Sequence, residues 1–125
     1  MTKPFASMLL AVTTAFWIGT AAGDEHGHAH PHFSPDVDAF HSLLAPLWHA
    51  RPGKTRSQNA CSRAGDLAKS AADIRSANAT ALVAAIHRLQ STCKGSKPAA
   101  VDAAFFDVHE AFHHLIDAQP SGSAG

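Results

Sequence analysis

The chain carries no excess charge of either sign: 10 Lys and Arg balance 10 Asp and Glu over 125 residues. A nucleic-acid partner therefore has no electrostatic footprint to hold it. Neither G-x-G-x-x-G nor G-x-x-x-x-G-K-[ST] occurs, which excludes the glycine-rich cradles for dinucleotides and nucleoside triphosphates. The two cysteines form no C-x-x-C pair, so the close ligand spacing of a structural zinc site is missing, and without C-x-x-C-H there is no covalent haem attachment. No nucleophile elbow is present to argue a Ser/His/Asp triad. Glu25 and Glu110 are the only glutamates, too few for a di-iron bundle. Against these absences stand ten histidines, where average usage gives about two or three. That excess points to metals or protons.

The N-terminus has the pattern of an export signal. Lys3 precedes an apolar run, Phe5 to Ile18, interrupted only by Ser7, Thr13 and Thr14, and Gly19-Thr20-Ala21-Ala22-Gly23 supplies small residues for cleavage. The run is short and no stop-transfer charge cluster follows, so residues 1–22 are expected to be a secretory signal peptide. The mature protein is then periplasmic or secreted and has no membrane span. Cleavage after Ala22 removes Lys3 and both methionines, Met1 and Met8, but keeps every histidine and cysteine. Loss of the thioethers excludes a methionine-built Cu(I) carrier, whereas imidazoles suit Zn, Ni, Co and Cu(II). Cleavage after Gly23 instead would leave Asp24-Glu25-His26 at the terminus. Its amine, two amide nitrogens and third-position histidine make a square-planar site for Cu(II) or Ni.

The remaining chain has helical periodicity and nothing that reads as a strand. Residues 23–33, GDEHGHAHPHF, are expected to be a flexible His-rich arm. Ser34-Pro35-Asp36 has the order N-cap, first helical position, acid near the positive dipole end. Val37, Phe40, Leu44, Leu47 and Trp48 follow as an apolar stripe interrupted by Pro46, and Arg51-Pro52-Gly53-Lys54 closes it. Thr55 and Gln58 predict a capping box for a second helix running to about Arg75, with a largely alanine face. Ser76 or Asn78 caps a third helix that buries Leu82, Ala85, Ile86 and Leu89 and stops near Gly95. Ser96 opens a fourth with Val101, Ala104, Phe105, Val108, Phe112, Leu115 and Ile116 inward, and residues 119–125 form a Pro/Gly/Ser tail. The expectation is an all-α, up-down four-helix bundle over residues 34–118.

Such a bundle is small, and the cysteines suit a staple. Cys61 lies 15 residues before the turn near 76–78 and Cys93 lies 16 after it. In an antiparallel hairpin equal distances from the turn fall opposite each other, and an exported chain meets an oxidising compartment. A Cys61–Cys93 disulfide is therefore predicted.

The histidines divide into two groups. His26, His28, His30 and His32 alternate along the arm, where several imidazoles can converge on one ion at the cost of ordering the segment. His109 and His113 are four apart on one facet of the fourth helix. His41 borders the stripe of the first helix, and in an up-down bundle it would meet His109 and His113 at a shared seam. Three imidazoles with an open fourth position suit a divalent transition metal, Zn, Co, Ni or Cu(II). Asp102, seven residues before His109, shares the facet as a ligand or an acceptor behind one. His49, His87 and His114 are expected in solvent.

His109-Glu110 and His113 also spell H-E-x-x-H, which resembles the zinc-metalloprotease signature over those five residues. The substrate cleft and distal third ligand of those enzymes have no counterpart in the sequence. Taken together, the export signal, four short helices and H-x-x-x-H resemble the small periplasmic metal-resistance and metal-sensing helical proteins of Gram-negative bacteria, although the mature chain lacks methionine ligands. The resemblance implies a noncatalytic metal-binding protein that buffers, sequesters or relays its ion. The alternatives are a sensory or interaction module that answers to metal or pH through a periplasmic protein partner, and a small zinc hydrolase.

Overall fold

A computed structural model describes residues 33–95 and 97–119. The expected signal peptide, the arm histidines His26, His28, His30 and His32, Ser96 and the end of the C-terminal tail lie outside the described residues. What is described is all-helical: α1 (Pro35–His49), α2 (Lys54–Ala72), α3 (Thr80–Cys93) and α4 (Pro98–Asp117), packed together as a helical bundle. No described helix is long and apolar enough to cross a membrane.

The ends of the helices depart from the expected caps in instructive ways. Ser34 occupies the N-cap position of α1 but makes no side-chain cap bond; its carbonyl accepts Asp38 N–H at 2.8 Å. Pro46 does not end the helix, which continues to His49 with the proline on its exposed side. The capping box of Thr55 and Gln58 is not formed. α2 begins one residue earlier, at Lys54, and Gly53 takes the cap position with φ 147°, a value that favours glycine. α2 stops at Ala72, short of the expected Arg75, because the following turn is claimed by α1. The Asp36 carboxylate accepts Arg75 N–H at 2.7 Å, Ser76 N–H at 2.9 Å and Ser76 Oγ–H at 2.6 Å. With Ser76 so engaged, Asn78 serves α3, its Oδ1 accepting Thr80 N–H at 3.1 Å. α4 starts at Pro98, two residues after the expected Ser96.

The core follows the predicted stripes, except that Leu47, Trp48, Ala104 and Ile116 at their edges are only partly buried. Val37, Phe40 and Leu44 of α1, Ala60, Ala64, Leu67 and Ala71 of α2, Leu82, Ala85, Ile86 and Leu89 of α3, and Val101, Phe105, Val108, Phe112 and Leu115 of α4 are all buried. Each large side chain among them contributes roughly 1.5–3 kcal/mol by leaving water. Two seams differ in kind. The alanine face of α2 lets it pack closely against α1, α3 and α4 alike. Between α1 and α4 large rings fill the space, with Phe40 against Phe112 at 5.5 Å and Trp48 against Phe105 at 5.6 Å between centroids. The aromatic seam is where the candidate ligands sit.

Cys61 and Cys93 are joined as predicted, tying the first half of α2 to the last residue of α3 with 5.6 Å between their Cα atoms.

Candidate metal site at the aromatic seam

α4 places His109 and His113 one turn apart, and their Nε2 atoms face each other at 3.1 Å. That separation accommodates one shared proton between opposite tautomers. It also accommodates an ion: with metal–nitrogen distances of about 2.0–2.1 Å, the pair subtends roughly 95–102° at the metal, within reach of tetrahedral or tetragonal geometry.

The His109 ring is held by packing. It stacks on the Trp48 indole with centroids 3.7 Å apart and planes within 8° of parallel. Its side chain is only 19% exposed, whereas His113 lies in solvent. Burial pushes the His109 pKa below the ordinary imidazole value of 6.5; a positive His113 would lower it further, with Glu110 opposing. The neutral ring is therefore favoured at pH 7, and in the tautomer with its proton on Nδ1 the Nε2 lone pair faces His113. The other ring nitrogen, Nδ1, is buried with no hydrogen-bond partner. Glu110 Oε1 is 3.6 Å from it, just beyond bonding distance. A histidine that binds metal through Nε2 carries its proton on Nδ1 and calls for an acceptor there. The orphaned nitrogen and the nearby carboxylate fit that need, so the donor set suits an imidazole-bound divalent ion.

Behind Trp48 stands a residue the sequence reading passed over. Arg56 of α2 is buried, and its guanidinium lies 4.6 Å from the centre of the Trp48 ring and 5.5 Å from that of Phe105. Its Nη1 donates to the Trp48 carbonyl at 3.0 Å and its Nη2 to Asp102 Oδ1 at 3.0 Å. Asp102 is thus engaged by Arg56. It supports the site from behind, through Arg56 and Trp48, rather than as an acceptor on His109. A signal for this was present: Arg56 is four residues before Ala60 and eight before Ala64, on the face of α2 that is buried, so a charge there required a partner.

The expected meeting of His41 with His109 and His113 does not occur. Among the described residues no group of three or more His, Cys, Asp or Glu is placed to hold an ion. Phe112 intervenes: His41 stacks on it at 5.6 Å and 13°, and Phe33 closes the cluster at 5.4 Å from His41 and 6.0 Å from Phe112. Phe33, expected to belong to the flexible arm, is therefore packed on the bundle. His49, His87 and His114 are exposed, as expected.

No family model matches the chain, and neither a curated protein nor a solved structure does.

Proposed function

We propose that this is an exported, noncatalytic protein that binds a divalent transition metal, Zn, Cu(II), Ni or Co, and buffers, sequesters or relays it in the periplasm or outside the cell. The observation that carries the reading is the His109–His113 pair, with Nε2 atoms 3.1 Å apart and one ring locked against Trp48. In this reading the pair is a chelate on a rigid helix and Glu110 orients His109 through Nδ1. The four helices run up and down in turn, which sets α4 beside α1 and lets Trp48 reach His109. His26, His28, His30 and His32 form a separate capture segment following the signal peptide. The disulfide supports export, since such bonds persist in oxidising compartments.

Competition titration of the mature chain against a chromophoric chelator tests this, with each of the four ions. His109→Ala/His113→Ala is expected to remove one class of site, and replacing the four arm histidines by alanine a different, weaker one. An unchanged isotherm for the His109/His113 variant would overturn the assignment.

A second reading, a sensory or interaction module, draws on Phe106, half exposed beside Trp48 at 6.1 Å. A partner that reads the metal state of His109 would find that ring adjacent.

A further inference from the structure

The His109–His113 pair is half a site. Imidazole-bound zinc takes four ligands in a closed tetrahedral site, and among the described residues no third His, Cys, Asp or Glu joins the pair. The surface around it has a consistent character. Asp102, Phe106, His109, His113 and Asp117 recur at spacings of three and four along α4, which sets them on one stripe of the helix. Phe106 is the one large hydrophobic residue exposed among the described residues, at 50%, and it lies one turn before His109. Charge on this helix is of one sign: from Pro98 to Asp117 it holds Asp102, Asp107, Glu110 and Asp117 and no Lys or Arg. Among the described residues Asp102 is paired with Arg56, and Glu110 lies 3.6 Å from His109 Nδ1; Asp107 and Asp117 face no Lys or Arg within bonding distance.

From this combination we infer that the ion is bound between two copies of the chain, each giving His109 and His113 across a two-fold axis. The inference rests on the pair being a metal chelate. A two-fold contact is made by one patch meeting itself, so a single exposed pair becomes a four-imidazole site without any new residue. The same operation covers Phe106 of both copies. The acidity of the helix makes the contact conditional. Asp117 on the stripe and Glu110 beside it repel their counterparts in a second copy until a dication lies between them. Metal then controls assembly: the protein is a monomer when free of metal and a dimer when loaded.

Sedimentation velocity and native mass spectrometry with zinc chloride, after EDTA and desalting, decide this. The mature full-length chain is compared with a variant in which His26, His28, His30 and His32 are alanine, so that arm binding does not contribute. In both, the expected result is a monomer without zinc and a doubled mass at half an equivalent, with one zinc per two chains. His113→Ala, at an exposed position that leaves the core intact, should abolish the dimer, and Phe106→Ser should weaken it at least several-fold. Zinc retained by a monomer, one per chain and lost in His113→Ala, would overturn the dimer while leaving the chelate in place. Zinc held by a monomer only when the arm histidines are present, and lost in His113→Ala, would assign the missing ligands to the same chain and equally overturn it. Binding indifferent to His113→Ala would overturn both the dimer and the chelate.

Discussion

The imidazole of His109 lies flat on the indole of Trp48, 3.7 Å away and 8° from parallel. An exposed histidine on a helix samples its rotamers; this one is fixed by a ring from another helix, and that ring is fixed in turn by Arg56. The chain of contacts from Asp102 through Arg56 and Trp48 to His109 converts packing at the α1–α4 seam into the direction of one lone pair.

Trp48→Leu should therefore weaken metal binding without touching a ligand. Groups that orient a metal-bound histidine are typically worth 10- to 100-fold in affinity, and a loss of about tenfold is expected here because His113 is unaffected. Chelator competition measures it. With residues 1–22 removed Trp48 is the only tryptophan, so in that form its fluorescence also reports the proposed site: Cu(II) should quench it and fail to do so in His109→Ala/His113→Ala.

The Arg56–Asp102 pair should behave asymmetrically. Asp102→Ala leaves a buried guanidinium one acceptor short, and the cost of such an unsatisfied group is about 1–3 kcal/mol. Arg56→Met leaves only a carboxylate that is nearly half exposed and can be hydrated. The double variant should lose less than the sum of the two singles, since each single strands a partner that the double does not. Urea unfolding of the four proteins checks this. Strict additivity would mean that the 3.0 Å contact carries no coupling.

Much of this arrangement was legible in the sequence because it depends on local periodicity. The four helices, their buried faces and the Cys61–Cys93 bond follow from apolar spacing and from equal distances about one turn. The H-x-x-x-H pair is equally local. What was not legible is set by contacts between elements distant in sequence. His41 was expected at the metal because helical spacing places it at the seam, but spacing does not show that Phe112 fills the gap and turns His41 into an aromatic cluster. Arg56 was overlooked because its partners, Trp48 O and Asp102, come from two other helices. The capping box of Thr55 and Gln58 failed because Gly53 supplied a cheaper entry to α2. The turn after α2 was mislocated because Asp36, 39 residues upstream of Arg75, dictates it.

The disulfide is expected to decide whether so small a core holds. Cys61 and Cys93 are 32 residues apart, and closing a loop of that length removes unfolded-state entropy worth roughly 3–4 kcal/mol. Cys61→Ser/Cys93→Ser should lower unfolding stability by that order, with helical circular dichroism preserved at low temperature. The proposed metal site lies on the opposite seam, so zinc affinity measured well below the melting temperature should be unchanged. A lost metal site in a folded variant would show that α3 constrains α4 more than the seam contacts indicate.

Asp36 is expected to make stability depend on pH in the acid range. Its hydrogen bonds from Ser76 Oγ, Arg75 N–H, Ser76 N–H and Val37 N–H hold its pKa well below the ordinary value of 3.8. The unfolded chain therefore binds a proton at a higher pH than the folded one does, and stability rises with pH across that interval. The contribution is complete above about pH 4, the unfolded carboxylate range, and is lost as pH falls from there toward the folded value. Asp36→Asn should lower the urea midpoint at pH 7 and give a flatter profile below pH 4, so that the two proteins converge in acid. Parallel profiles from pH 7 to pH 2 would show that the turn between α2 and α3 does not depend on the ionised carboxylate. Convergence would identify the ionised Asp36 carboxylate, bound to the turn between α2 and α3, as the source of that part of the acid dependence.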